Sequence, residues 1–494
     1  MKDVEIYKIA LKQLVLFGFA LVAVRFSAGA FLFAMMLWGI GRAMQGKVGR
    51  AMSIMVMMQF MIIVNPVILP KGGGLFGIGA RFGTLLIGLA LASRGLRADR
   101  SRWLPFGMLV AYLAVAAISS ATGYAPMISY MKLANFFVFL VGVWFGVQRL
   151  GGNFEEIKVL KATLIALCAF LILGSIAVLP FPGISTLDAL RLAKEETDIA
   201  VRNAILSEAI AGGVMSLFCG VTFQSQTLAP LLSCAFAWLL CDLLFIEKRF
   251  RWPHAVMLLG ALPLLYKTRS RVAFVCLVVI AAVVYFYLPG KVIMSARSKK
   301  WLGGVLAATA VLGVLTAGYM EISDDAISKW VRKTNNIGLD TRSLREAVTS
   351  SREGLIEMCM TDFKRSPFLG MGFQVAVYTQ ERVAGAKGLI LSSPIEKGLL
   401  PVMVLGETEI IGFVVFGAFL VCFYVGCVRN RFYITVTMMS VLLATNLGEA
   451  TFFSPGGPGG IEWMFTVAGG YILDLWLKTS IWRRANLDMI GGAV

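Results

Sequence analysis

The chain has 494 residues, a formal charge of +18 and a mean hydropathy of +0.79, with 58% of its residues hydrophobic and 15% charged. Soluble domains hold about 25% charged residues, so this composition, with its repeated apolar runs, excludes an ordinary soluble enzyme. The bases gather at the ends of those runs, as the positive-inside rule describes, which argues against a nucleic-acid surface and for contact with membrane lipids.

In chain order, the N-terminal stretch MKDVEIYKIALKQLVLFGFALVAVRF sets bases before apolar sequence. No small-x-small cleavage site follows and the apolar character continues to Ile40, so an uncleaved span or pair of spans is expected. Further spans are expected at 51–69, 75–93, 103–120, 131–148, 159–180, 206–246, 253–267, 270–288, 302–320, 397–426, 432–450 and 461–480. The first (11–41) and the 206–246 interval are long enough for two short helices each, giving an all-α polytopic bundle of about 12–14 crossings. TFQSQ at 222–226 is polar enough to mark a re-entrant break. This divides the chain into an N-terminal bundle (1–320), a hydrophilic loop (321–396) and C-terminal spans (397–494).

Short basic loops set the orientation: Arg42-Lys47-Arg50, Arg94-Arg97-Arg100-Arg102, Lys248-Arg249-Arg251, Lys291-Arg297-Lys299-Lys300, Arg429-Arg431 and Lys478-Arg483-Arg484 all read as cytoplasmic. The 181–205 and 321–396 loops then fall outside, provided 206–246 crosses an odd number of times. Cys219, Cys234, Cys241, Cys276 and Cys422 lie in apolar runs and read as small buried hydrophobes. His254, the single histidine, cannot build a histidine metal cluster and reads as an interfacial residue at a span edge.

The 321–396 loop carries acidic and basic residues in equal number, unlike the rest of the chain. Asp340 or Thr341 can cap a helix running to about Phe363, with Arg345 and Arg352 on one face. Pro367 ends it, and Gly370 and Gly372 permit a tight turn. Such an element is either a surface helix packed on the bundle or the wall of an outward-facing cavity.

Charges inside apolar runs are costly and commonly face a polar cavity. Arg25 and Arg81 stand in such runs, where snorkelling is the competing explanation, and Arg269 and Arg271 begin a span on the expected outer side, against the charge bias. An anion explains them: a guanidinium fork suits phosphate oxygens, and several such donors could hold a diphosphate without metal or cofactor. Farther along, Glu396 and Lys397 sit at the mouth of a span, with Glu407 and Glu409 deeper in it. Glu396 is placed to take a proton from a hydroxyl at the membrane surface; Glu407 is either a second such group or the partner of a span arginine. The glycine- and proline-rich 446–463 stretch, NLGEATFFSPGGPGGIEW, is either a re-entrant segment or an ordinary turn.

Three stretches resemble the O-antigen ligase and O-antigen polymerase superfamily. They are Thr268-Arg269-Ser270-Arg271; Ser351-Arg352-Glu353 followed by the Pro367-Phe368-Leu369-Gly370-Met371-Gly372 turn; and Leu405-Gly406-Glu407-Thr408-Glu409-Ile410-Ile411-Gly412. The last is similar to the family's E-x-G-x-x-G span start, with Glu409 where the glycine is expected. The resemblance covers about residues 200–450. It implies a GT-C-like membrane glycosyltransferase of the bacterial inner membrane, metal-independent and inverting, working on the periplasmic side. The donor would be an undecaprenyl diphosphate-linked oligosaccharide and the acceptor a growing glycan or a lipid, with a chain-length regulator or export proteins as possible partners. Arg271 and Arg352 would act on the diphosphate, with Arg269, Arg345, Lys397, Glu407 and Arg81 around the substrate. Ligases of this family carry a histidine before the span that here begins after Pro394-Ile395-Glu396-Lys397. Its absence favours a polysaccharide polymerase over a ligase and leaves Glu396 as the replacement. A secondary transporter would share the spans and intramembrane charges, but it should show similar halves, and no convincing repeat is present.

Overall fold

The computed structural model describes residues 2–65, 68–69, 74–93, 103–123, 125–150, 153–181, 184, 186–187, 217–222, 225–246, 252–268, 270–288, 399–448 and 450–479, with short pieces of 356–374. These residues are almost wholly helical: α1 (Lys2–Met44), α2 (Val48–Ile63), α3 (Gly74–Ser93), α4 (Trp103–Thr122), α5 (Pro126–Leu150), α6 (Phe154–Ala177), α7 (Ser225–Cys241), α8 (Trp252–Lys267), α9 (Arg271–Ala282), α10 (Leu400–Arg429), α11 (Tyr433–Thr445) and α12 (Pro458–Trp463). Wider π-helical turns continue α7, α9 and α12, and one two-residue strand pair joins Thr186–Leu187 to Leu217–Phe218. Among the described residues, six helices are long and apolar enough to cross a membrane, and three more are apolar but shorter. A helix satisfies its own backbone groups, which is why apolar runs of this length adopt no other form in lipid.

The first element is a hairpin. Glu5 near its start pairs with Lys158, and Arg50, just past its end, pairs with Glu156 on the same turn of α6. A straight helix would hold these ends roughly 65 Å apart. The reversal occurs at Ser27, whose φ of −150° and ψ of 87° break the helix. The sequence left open whether 11–41 holds one span or two; the structure has two.

The remaining contacts sort the helix ends into two groups. At one end lie both ends of α1, the start of α6, the end of α5, and the junction of α10 with α11, where Lys478 donates to Asn430 O at 2.6 Å. Arg42, Lys47, Arg50, Arg149, Arg429, Arg431 and Lys478 all fall here, and the helices flanking 94–102 and 247–251 also end here. This is the basic end. At the far end, Asn65 after α2 receives the 217–222 strand through a 2.8 Å bond to Val221 O, and α10 begins beside the last turn of α11 through Leu400 N and Asn446 O at 2.9 Å. Residues 2 and 479 both lie at the basic end. The chain leaves α9 at the basic end and enters α10 at the far end, as a crossing by the expected 302–320 span requires; that span lies outside the described residues.

In the 206–246 interval the described helix starts at Ser225, and Thr222 before it is extended and bridged to Val64 at the far end; residues 206–216, where a second short helix would fall, lie outside the described residues. Thr222, the first residue of TFQSQ, donates from Oγ1 to Cys219 O at 2.9 Å and so belongs to the loop backbone at the far end. One expectation needs correction. His254, expected at the interface, is fully buried. The helices pack closely where small residues face each other; a Cβ on Gly142 of α5 would collide with Gly88 of α3.

The candidate site at the far end

The loop turn beyond Phe363 is wedged between α4 and α10. Gly370 and Gly372 take φ of 73° and 102°, a left-handed backbone that glycine adopts without penalty. Gly372 N donates to Ser119 Oγ at 3.1 Å, and Ser119 Oγ donates on to Glu407 O at 2.5 Å. Phe373 N donates to Ser120 Oγ at 3.2 Å, and Lys132 Nζ donates to Gln374 O at 2.8 Å. Phe373 itself is fully buried, 5.4 Å from Phe453 by ring centroids and 6.5 Å from Phe136. The turn is thus pinned by an aromatic anchor beneath and hydroxyls at its side. Burying such a ring contributes about 1.5–3 kcal/mol.

It meets α10 at a defect. Glu409 has φ 54° and ψ −157°, so α10 is two helical pieces joined there. The break diverts carbonyls from their usual partners four residues on, and Ser119 satisfies that of Glu407. Gly412 fits the same bend, since a Cβ there would collide with Thr408 Oγ1. Glu407, Thr408 and Glu409 are all fully buried.

The 446–463 stretch forms the neighbouring wall. It is neither a simple turn nor a span but a packed plug. Phe452 and Phe453 are fully buried, Phe452 N bonds to Asn446 Oδ1 at 2.7 Å, and Trp463 Nε1 bonds to Phe452 O at 2.6 Å. Gly457 N reaches down to Gln59 Oε1 of α2 at 2.9 Å. Arg81 of α3 lies across Gly456, where an added Cβ would sit 2.6 Å from its Nε, and that Nε has no hydrogen-bond partner among the described residues. Loop backbone thus covers the Nε, while the residue as a whole stays partly exposed. Val272, next to Arg271 at the start of α9, packs against Gly448 of the same loop.

The structure thus brings to one end the start of α9 with Arg271, Arg81, Glu407, and the glycine turn. Arg269, Arg345, Arg352, Glu396 and Lys397 lie outside the described residues, as do most of the 321–396 loop and the side chain of Arg271. Of the expected 340–363 helix, 356–357, 360–361 and 363–364 are described and helical, with Thr361 Oγ1 donating to Glu357 O at 2.8 Å. Ser119, Ser120 and Lys132 were not anticipated. Lys132, a charge within an apolar run, carried the same signal as Arg81.

Two other features lie at the basic end. Lys161 Nζ and Asp242 Oδ1 are 2.7 Å apart, His254 Nε2 and Asp242 Oδ2 3.0 Å, and Tyr7 OH and His254 Nδ1 2.7 Å, with Lys161 also over the Trp476 ring. This buried chain ties α1, α6, α7 and α8 together. A shallow groove, lined by residues that include Trp144, Phe423, Phe432 and Tyr471, also opens there, away from the far-end residues.

These elements define an all-helical protein with the character of a multi-pass membrane bundle. No protein-family model matches the chain, and no curated protein does.

Proposed function

We propose that the chain is a membrane glycosyltransferase that polymerises undecaprenyl diphosphate-linked glycan units, with its far end in the periplasm of a bacterial inner membrane. The observation that carries this reading is the junction of the glycine turn with the α10 break. Two of the three stretches that resemble the O-antigen polymerase and ligase superfamily meet there, through Ser119 and the Glu407 carbonyl. The third starts α9 at the same end, beside the loop that covers Arg81. The basic loops at the opposite end support the orientation.

In this reaction a sugar hydroxyl of the acceptor attacks the anomeric carbon of the donor. The bond from that carbon to the diphosphate oxygen breaks with its electron pair, and the hydroxyl proton passes to a base. Arg271 and Arg352 take up the charge growing on the diphosphate, where fixed donors lower the barrier most. Arg81 adds positive charge from the side of α3. Glu396 receives the proton.

The test is transfer by purified protein in lipid discs, with undecaprenyl diphosphate-linked glycan as donor. Arg352→Ala and Arg271→Ala should abolish product while the protein remains folded, and Arg352→Lys should recover little, because a point charge does not replace the fork. Products lengthened by successive repeat units mark a polymerase; a single transfer to a lipid acceptor marks a ligase. Wild-type turnover by R352A and R271A would overturn the site.

A further inference from the structure

The groove at the basic end combines apolar walls with a positive mouth. Its walls are largely aromatic: Trp144 of α5, Phe423 of α10, Phe432, and Tyr471 beyond α12. Beside it on α10, Val421, Val425 and Val428 are exposed, so the groove opens next to an apolar face turned outward. At the mouth, Lys478 Nζ stands 3.7 Å from the centre of the Phe432 ring and is held there by its bond to Asn430 O. Arg429 and Arg431 flank Asn430, which also lines the groove. Across 423–435 and 467–479 the sequence sets these three bases against one carboxylate, Asp474, which leaves the mouth positive. Asp474 is itself buried and accepts from Ile434 N, Thr435 N and Thr435 Oγ1 at the start of α11. Arg431 stands where glycine is usual. Phe432 N bonds to Cys427 O at 2.8 Å and Arg431 N to Val428 O at 3.0 Å, which closes α10 in a Schellman motif. Its left-handed position, with φ 55°, is the one glycine normally fills, yet here it carries an exposed guanidinium side chain. A cation at a helix C-terminus also meets the negative end of the helix dipole, so the two uses must be separated by experiment.

We infer that this groove seats an anionic phospholipid of the leaflet at the basic end, with an acyl chain along the aromatic walls and the phosphate at Lys478 and the arginines of the α10–α11 junction. The chain removes apolar wall from exposure, and the bases select the headgroup. A zwitterionic headgroup brings no net charge to a positive mouth and should be held less well. The groove is lined from α4, α5, α10 and α11 at once, and a Cβ on Gly426 of α10 would lie only 3.4 Å from Pro105 Cγ of α4. A lipid seated there therefore braces the α4–α10 pair at the end opposite its junction through Ser119 and Glu407. This site lies away from the proposed chemistry and does not depend on it.

The experiment places the full chain in phosphatidylcholine discs with a trace of phosphatidylglycerol that carries a diazirine in one acyl chain. After photolysis, mass spectrometry maps the label. It should fall on peptides holding 144–148 and 423–435, and the same diazirine on phosphatidylcholine should leave them near background. Arg431→Gly keeps the turn with the residue usual there and removes one charge. It should lower labelling by about fivefold, the worth of one base at an anionic surface. Arg431→Lys should retain most of the label. Cys427→Trp fills the groove from α10 and should remove the label although every base remains. Phosphatidylglycerol should also raise the melting temperature of wild type more than that of R431G. Equal labelling by the phosphatidylcholine probe overturns the inference, as does labelling by phosphatidylglycerol that R431G leaves unchanged. R431G melting lower by the same amount in both lipids, with its label intact, would assign Arg431 to the helix dipole alone and overturn it too. A two-copy particle with those peptides unlabelled would show a second copy covering the groove in place of lipid. Should C427W fail to fold, the comparison of R431G with R431K still decides.

Discussion

Replacing Gly370 with alanine should release the glycine turn from the bundle. Gly370 has φ 73°, and alanine in the left-handed region costs about 1–2 kcal/mol. Its new Cβ would collide with Glu407 O and lie 2.6 Å from Ser119 Oγ, and neither group can retreat, because they are bonded to each other. The turn must move instead. That movement breaks the bonds from Gly372 N to Ser119 and from Phe373 N to Ser120, each worth about 0.5–1.5 kcal/mol net. Together these terms weaken docking by about 2–5 kcal/mol, a factor of about 30 or more in the docking equilibrium. Hydrogen exchange read by mass spectrometry is the assay: the amides of Gly372 and Phe373 should exchange faster in G370A by at least that factor. Gly417→Ala, at a helical glycine with open space beside it, is the control and should leave the turn unchanged. Equal protection of both amides in G370A and wild type would refute the account of the junction.

Phe373→Ala should remove the anchor while leaving the turn's backbone free to bend, costing about 3–5 kcal/mol of docking and exposing the loop to protease before the bundle melts. Asp242→Ala should destabilise the folded bundle by about 3–5 kcal/mol, because it strands Lys161 in the interior; the double change of Lys161 and Asp242 to leucine should melt higher than D242A alone. Arg81→Ala should leave melting within a few degrees of wild type but weaken donor binding, and an unchanged affinity would remove Arg81 from the site. In a background without native cysteines, a cysteine at Asn335 should react with an impermeant thiol reagent in intact spheroplasts and one at Lys299 should not; the opposite pattern would invert the proposed orientation.

Most spans were legible because lipid leaves a chain few choices: an apolar run of sufficient length becomes a helix, and its boundaries fall where polar residues begin. The expected 75–93, 253–267 and 270–288 spans agree with α3, α8 and α9 with its π-helical end to within a residue or two. What failed was local. TFQSQ reads as a polar interruption at any depth, and only the bridge of Thr222 to Val64, just past α2, fixes its first residue at the far end. His254 looks interfacial beside Arg251 and Trp252, whereas its burial depends on Asp242 and Tyr7, one of them 247 residues away. The glycine turn and the unusual Glu409 were visible as motifs, but a motif does not say what it touches. Ser119 gave no signal, since serine within a span commonly bonds its own helix, as Ser120 does to Ala116.

The bond between Ser119 and Glu407 joins residues 288 positions apart. At about 5–20 residues per second, a ribosome needs roughly 15–60 s to travel between them. During that interval α4 is already made and the serine has no partner from α10. The glycine turn leaves the ribosome before the helix it rests on. The far-end site is consequently a late product of synthesis. A nascent chain can occupy the membrane with most of its helices in place and still lack the junction. Truncation anywhere before α10 would leave a chain without one wall of the site, whatever the quality of the helices already inserted.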